Sequence, residues 1–152
     1  METKLQVAGI ILETLTNGEG IRHAVFLQGC DHACSGCHNP ETWKKCQGLS
    51  MTQTDILEKL GHPNKYLKGI TITGGEPLLQ TQGVLNLLKV LESRGFNIWL
   101  YTGYTLEQVK ELPQGMEILD HIDVLVDGLY DKENPCYSGY RGSTNQKIIK
   151  LR

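Results

Sequence analysis

The stretch that decides the fold runs from residue 69 to residue 103 and reads "GITITGGEPLLQTQGVLNLLKVLESRGFNIWLYTG". It opens with a short apolar strand over residues 69–73 and closes with a second apolar strand over 96–103. Between them, four apolar residues recur at helical spacing: Val84, Leu87, Leu88 and Leu91. Gly95 is a natural stop for this helix. The order strand, helix, strand predicts two parallel strands joined by a crossover helix.

The same alternation extends to both sides of this unit. Further strands are predicted at 5–12, 22–29, 122–128 and 147–151, and further helices after the caps Ser50 and Thr105. We therefore predict an α/β fold with mostly parallel strands, in a single domain spanning residues 1–152. A complete eight-fold barrel takes about 250 residues, so this chain is too short for one.

Composition and charge narrow the classes of function. The net charge is -2, with 39% hydrophobic and 21% charged residues, as in an ordinary soluble globular protein. No basic excess indicates nucleic acid or an anionic membrane surface as a partner. No apolar run is long enough to span a membrane and no secretory signal is evident, so we expect a cytoplasmic protein. Disulfides rarely persist in the cytosol, so clustered cysteines there indicate metal binding or redox chemistry.

Three of the five cysteines are clustered in "GCDHACSGCHNPETW", residues 29–43. Cys30, Cys34 and Cys37 have the spacing C-x3-C-x2-C, which can place three thiolates around one small group. A [4Fe-4S] cluster normally takes four cysteines, so three would leave one iron open to a substrate atom. A structural zinc site is the alternative, and it would need a fourth ligand from His32, His38 or Cys46.

Polar or glycine-rich motifs follow three other predicted strands. They are Gly74-Gly75-Glu76-Pro77, Thr102-Gly103 and Asp127-Gly128. Because ligands of parallel α/β proteins bind at the carboxyl ends of the strands, we expect these motifs and the cysteines to share one rim. The two glycines of the first motif would let backbone approach a ligand, and its glutamate offers a carboxylate to an ammonium group. The Asp-Gly pair can equally be a simple turn.

Together these motifs resemble a known family. C-x3-C-x2-C followed by GGEP is typical of the radical S-adenosylmethionine superfamily. "WLYTGYTLEQ", "IDVLVDG" and "YRGSTNQ" further resemble the activating enzymes of the anaerobic (class III) ribonucleotide reductase. The resemblance implies a partial, open β/α barrel of the radical S-adenosylmethionine type. It also implies a [4Fe-4S] cluster on Cys30, Cys34 and Cys37, whose fourth iron binds S-adenosylmethionine.

The activity and partners also follow from the resemblance. Reductive cleavage of S-adenosylmethionine would give a 5′-deoxyadenosyl radical, which takes a hydrogen atom from a glycine of the reductase. The implied partners are the large subunit of that reductase and an electron donor such as flavodoxin. No catalytic residue is implied beyond the cluster and S-adenosylmethionine. A partial barrel would leave one side of the site open, so we expect the reductase itself to close it.

The site residues carried over from the family fall into two groups. Contacts to S-adenosylmethionine are expected from Gly36, Cys37, His38, Gly74, Gly75, Glu76, Thr102 and Asp127. Contacts to the partner or substrate are expected from Arg22, Arg141 and Asn145, although a polar surface turn also explains the last two. The family pattern before the arginine has a proline where this chain has Glu19. Cys46 and Cys136 are interpreted as reduced thiols outside the triad.

Two other functions remain open at this point. An activase of another glycyl-radical enzyme, of the formate-lyase type, would share the first half of the motifs. A zinc-binding structural module would explain the cysteines but not GGEP or the converging strand ends.

Overall fold

The computed structural model describes residues 4–29, 49–136 and 139–152. In this part of the chain seven strands and four α-helices alternate, with one 3-10 turn at Pro77–Leu79. The strands are β1 Lys4–Thr14, β2 Arg22–Leu27, β3 Leu49–Thr52, β4 Gly69–Gly74, β5 Asn97–Tyr101, β6 Val124–Asp127 and β7 Lys147–Lys150. The helices are α1 Gln53–Leu60, α2 Thr81–Ser93, α3 Leu106–Glu111 and α4 Gly115–Asp120.

The described strands form one sheet in the order β3-β1-β2-β4-β5-β6-β7. The four central strands, β2, β4, β5 and β6, are parallel, as the alternating pattern predicted. The flanking pairs β1–β2, β1–β3 and β6–β7 are antiparallel, so parallel pairings make up only half of those described. The mixed α/β class is therefore correct, whereas the parallel arrangement is confined to the centre.

The main core lies where the helices pack on one face of the sheet. The predicted apolar positions of α2 are all buried, and they join a single cluster with Ile70 and Ile72 of β4 and with Ile98 and Leu100 of β5. Because side chains alternate along a strand, Thr71 and Thr73 lie on the opposite face of β4. On that face a second, smaller cluster joins β5 and β6: Trp99, Val124 and Val126, with Tyr101 and Tyr140 against them.

Capping boxes fix where α1 and α3 begin. The predicted cap Thr105 is correct, since its hydroxyl accepts from Gln108 N–H and the Gln108 side chain accepts in return. The predicted cap Ser50 is wrong. Ser50 lies in β3, paired with Gln6, and the capping box of α1 is made by Thr52 with Asp55. No helix in the described ranges is long and apolar enough to cross a membrane.

Candidate functional site

The cysteine triad itself lies outside the described residues, and so do Gly36 and His38. The same is true of the alternative zinc ligands His32 and Cys46. Gly29, which immediately precedes Cys30, is described and follows the carboxyl end of β2. In the described ranges no group of three or more His, Cys, Asp or Glu side chains could hold a metal ion. Gly29, the residue before the first cysteine, therefore lies at the rim of the sheet, while the placement of the three cysteines stays a prediction.

The Gly-Gly-Glu-Pro motif is bound to the end of β2. The Gly75 N–H donates to the carbonyl of Leu27 at 3.0 Å, and the Glu76 N–H donates to the carbonyl of Gly29 at 2.6 Å. Gly74 has φ +119°, and a Cβ there would lie 2.2 Å from the backbone nitrogen of Leu27. The close approach of β2 therefore requires a glycine at this position. From the sequence alone, we expected the glycine to allow the close approach of a ligand.

Glu76 is almost completely buried, at 1% exposure. Its Oε2 accepts from the Leu78 N–H at 2.9 Å, which caps the 3-10 turn, and from the Thr102 hydroxyl at 2.8 Å. Its Oε1 accepts from the Gly103 N–H at 2.7 Å. Two predicted site residues, Glu76 and Thr102, are therefore brought into direct contact. The carboxylate binds groups of the chain itself, and its predicted contact with an ammonium group stays a prediction.

Thr102 links the rim further towards β6. Its hydroxyl accepts from the Tyr104 N–H at 3.2 Å while donating to Glu76, and its own N–H donates to the carbonyl of Val126 at 3.0 Å. The side chain is buried, with 5% exposure. Thr102 is thus held by β5, β6 and the GGEP segment together.

Asp127 lies at the same end of the sheet but has different partners. Its Oδ2 accepts from the N–H of Leu106, the first residue of α3, at 2.8 Å. Its Oδ1 accepts from the N–H of Lys147, the first residue of β7, at 3.2 Å. A buried carboxylate at a helix N-terminus is favourable, because it faces the exposed N–H groups there. These bonds give Asp127 a structural role at the rim, while its predicted contact with S-adenosylmethionine is not tested.

Arg22 is buried, although we predicted that it contacts a partner or substrate. It is completely buried at the amino end of β2, the end opposite the rim. Its guanidinium donates from Nε to the Thr71 hydroxyl at 2.8 Å and from its two other nitrogens to the carbonyls of Glu19, Ile70 and Asn97 at 2.9–3.1 Å. It also lies 5.4 Å from the ring centroid of Trp99. With no exposed surface, Arg22 cannot make the contact with a partner that we expected.

The burial of Arg22 has an electrostatic consequence. Removal from water lowers the pKa of its guanidinium from 12.5 to about 10, although electrostatic interactions with Tyr101, Asp123 and Glu19 oppose the shift. The side chain therefore remains a cation at neutral pH. It is stabilised by backbone carbonyls and by the face of Trp99.

The loop before β7 contains the other predicted partner contacts. Arg141 donates to the carbonyls of Thr144 and Gln146 at 3.2 and 3.0 Å, and the Asn145 amide donates to the carbonyl of Leu129 at 2.8 Å. The Gln146 amide donates to the carbonyl of Gly128 at 2.9 Å. These polar side chains hold the loop in shape and attach it beside the Asp127-Gly128 turn. Contact between Arg141 or Asn145 and a partner stays a prediction.

An aromatic contact that the sequence analysis did not identify attaches the same loop to the sheet. The Tyr101 hydroxyl donates to the carbonyl of Tyr140 at 2.6 Å, and the Tyr140 ring meets Trp99 edge-on with centroids 5.5 Å apart. Burial raises the pKa of Tyr101 above its ordinary value, so its hydroxyl remains a donor. The two-residue spacing of Trp99 and Tyr101 in a strand is the signal that could have placed both on one face.

Comparison with known proteins identifies the class first. The model of a family described as a 4Fe-4S single cluster domain matches residues 16–149, which is most of the chain. A crystal structure of QueE from Escherichia coli has a TM-score of 0.56 and 22% identity, over 67% of this chain. It covers 54% of the QueE chain, and at this identity it shows a shared fold alone.

Curated relatives then identify the particular family. Three of them are anaerobic ribonucleoside-triphosphate reductase-activating proteins. That of Enterobacteria phage T4 is 39% identical over 87% of this chain and 85% of its own. The relative from Pasteurella multocida is 38% identical over 90% of this chain and 92% of its own. The relative from Escherichia coli strain K12 is 36% identical over 91% of this chain and 94% of its own. The chain belongs to the family of anaerobic ribonucleoside-triphosphate reductase-activating proteins.

Proposed function

We propose that this protein activates an anaerobic ribonucleotide reductase by generating a glycyl radical on it. The observation that carries the proposal is the similarity to activating proteins, at 34–39% identity over 87–91% of this chain. The rim supports it, because the GGEP segment is fastened to Gly29, next to the first cysteine of C-x3-C-x2-C. The radical would arise by reductive cleavage of S-adenosylmethionine to a 5′-deoxyadenosyl radical.

The residues present fit a [4Fe-4S] cluster. Cys30, Cys34 and Cys37 would hold it through three thiolates within eight residues, and Gly29 at the base of their loop is fixed by the Glu76 N–H. When bound, such a cluster would supply an electron for the reductive cleavage of S-adenosylmethionine. The chain's own part is to position these groups and to limit side reactions.

The rim gives the protein its positioning function in this proposal. Backbone groups of Gly75 and Glu76 join the GGEP segment to the end of β2, and the Glu76 carboxylate joins it to Thr102 and Gly103, which follow β5. The contacts proposed for S-adenosylmethionine are those of Gly36, Cys37, His38, Gly74, Gly75, Glu76, Thr102 and Asp127. Since the polar side chains in the described part of this set are bound to the chain itself, we expect the backbone of the half-buried Gly74 and Gly75 to offer additional contact points.

Several finer features belong to the same proposal. The sheet would curve into a partial, open β/α barrel, and residues 1–152 would form a single domain. The protein would be cytoplasmic and would receive its electron from a donor such as flavodoxin. The large subunit of the reductase would be its partner and would close the open side of the site.

The decisive experiment reconstitutes the protein with iron and sulfide without oxygen, and adds S-adenosylmethionine, a reductant and the anaerobic reductase. We expect formation of 5′-deoxyadenosine and a glycyl radical signal on the reductase. Cys34→Ala should abolish both, whereas Cys136→Ala, a cysteine outside the triad, should retain them.

Two outcomes would contradict the proposal. Radical formation on a formate lyase but not on the reductase would instead support the alternative activase. A colourless, zinc-loaded protein after anaerobic purification would support the zinc module. A separate outcome concerns the ligand set alone: retained turnover in Cys34→Ala would show that this cysteine is not a ligand of the cluster.

A further inference from the structure

We propose that Thr102 is a positioning residue that acts through Glu76 to hold the base of the cysteine loop in register with β5. This inference rests on the proposed function, because it assigns Thr102 to the alignment of the cluster with the GGEP segment. It adds to the proposed contact of Thr102 with S-adenosylmethionine a separate role, which is exerted through the Glu76 carboxylate.

A continuous chain of hydrogen bonds carries the proposal. The Gly29 carbonyl accepts from the Glu76 N–H at 2.6 Å, and the Glu76 carboxylate accepts from the Thr102 hydroxyl at 2.8 Å. The Thr102 N–H in turn donates to the carbonyl of Val126 at 3.0 Å. One buried residue, Glu76, thus connects the segment after β2 through its N–H and the segment after β5 through its carboxylate, and Thr102 extends the connection to β6.

The sheet itself does not make this connection at the rim. The registered pairing of β4 with β5 ends at Ile72 and Leu100, two residues before Gly74 and Thr102. The pairing of β2 with β4 continues to Leu27 and Gly74. Beyond this last registered pair, bonds to the Glu76 carboxylate join the segment after β4 to the segment after β5. These bonds therefore extend the connection between the two strands to the rim.

Burial makes the Thr102 hydroxyl difficult to replace. Glu76 and Thr102 are 1% and 5% exposed, so water has little access to take over a lost hydrogen bond. Hydrogen bonds to an ionised acceptor are among the strongest in proteins. Thr102→Val keeps the shape of the side chain but removes this donor, whereas Thr102→Ser retains it.

The first experiment measures amide hydrogen exchange of Glu76 and Gly103 in the metal-free protein. In Thr102→Val we expect both to exchange at least about tenfold faster than in the wild type, after correction for global stability. Thr102→Ser should stay within about threefold of the wild type. The matched control is Thr71→Val, because the Thr71 hydroxyl is also buried and both accepts and donates, in the amino-terminal half of β4 and away from the rim. It should lower global stability without selective loss of protection at Glu76.

The second experiment measures binding of S-adenosylmethionine to the cluster-loaded protein. We expect Thr102→Val to raise the dissociation constant about tenfold and Thr102→Ser to restore it. A wild type that does not cleave S-adenosylmethionine would refute the proposed function and leave the exchange result standing. Unchanged Glu76 exchange in Thr102→Val, or equal loosening in Thr71→Val, would overturn the positioning role. If Thr102→Val does not fold, Glu76→Gln must show the faster Gly103 exchange, and normal protection there overturns the proposal.

Discussion

Replacement of Gly74 by alanine tests whether this glycine is required by the packing of two strands. In the structure an added Cβ would lie 2.2 Å from the nitrogen and 2.4 Å from the oxygen of Leu27, both backbone atoms that cannot rotate away. The backbone would also keep φ near +119°, where side chains are strained. The substitution must therefore either displace β2 or change the course of the GGEP segment.

The expected loss of stability follows from three contributions. A side chain in this backbone region costs about 1–3 kcal/mol. Displacing Leu27 weakens the Gly75 N–H bond to Leu27 and the Glu76 N–H bond to Gly29, each worth about 1 kcal/mol. We therefore expect Gly74→Ala to lower the free energy of unfolding by about 4 kcal/mol.

The matched control is Gly95→Ala, after the end of α2. Gly95 also has positive φ, +88°, but a Cβ there would meet nothing within 4 Å. Its replacement should cost only about 1–2 kcal/mol, the conformational part alone. Urea denaturation of the metal-free protein measures both values without interference from a bound ligand. If Gly74→Ala costs no more than Gly95→Ala, the argument from strand packing is refuted.

Three further changes test other parts of the fold. Arg22→Leu leaves the Thr71 hydroxyl and two buried carbonyls without their donor. We therefore expect the free energy of unfolding, measured in urea, to fall by about 3 kcal/mol or more. A loss below about 1 kcal/mol would contradict this expectation. Burial lowers the pKa of His23 below 6.5, against the opposing charge of Glu13. The unfolded state therefore binds more protons as the pH falls through about 6.5, and stability should decrease there. His23→Gln should remove that dependence, and an NMR titration showing a His23 pKa above 6.5 would reverse the sign. Tyr101→Phe removes the hydrogen bond to the Tyr140 carbonyl, so the free energy of unfolding should fall by about 1 kcal/mol. Cleavage by protease in the loop before β7 should also increase. Unchanged cleavage would show that this bond does not hold the loop.

The elements that could be predicted from sequence are those with a strong local signal. The crossover helix α2 has a repeating apolar face, and the central strands β4 and β5 are short runs rich in β-branched, aliphatic and aromatic residues, so each is specified by neighbouring residues. The strand β3 was not predicted, because its four residues are ordered by pairing with β1. Helix α4 was also missed. It begins after Gln114 with φ 65°, which no local signal indicated.

The candidate site shows the same division. The motifs at the strand ends could be predicted to share a rim, because parallel connectivity brings the ends of β4, β5 and β6 together. The partners of each polar side chain could not, since they depend on register and on loops far along the chain. Glu76 has the type and position of a ligand residue, yet it bonds to Thr102, 26 residues away. Arg22 has the appearance of a surface cation in the sequence, and only the three-strand arrangement shows its acceptors.

The buried arginine also bears on the rate at which the protein unfolds. Arg22 bonds to the carbonyls of Ile70 and Asn97, 48 and 75 residues further along the chain. Such distant contacts have a high cost in chain entropy, so they form only after β2, β4 and β5 have assembled. Interactions that are absent from the folding transition state act mainly by slowing unfolding. We therefore expect Arg22 to prolong the lifetime of the folded chain while contributing little to the speed of folding.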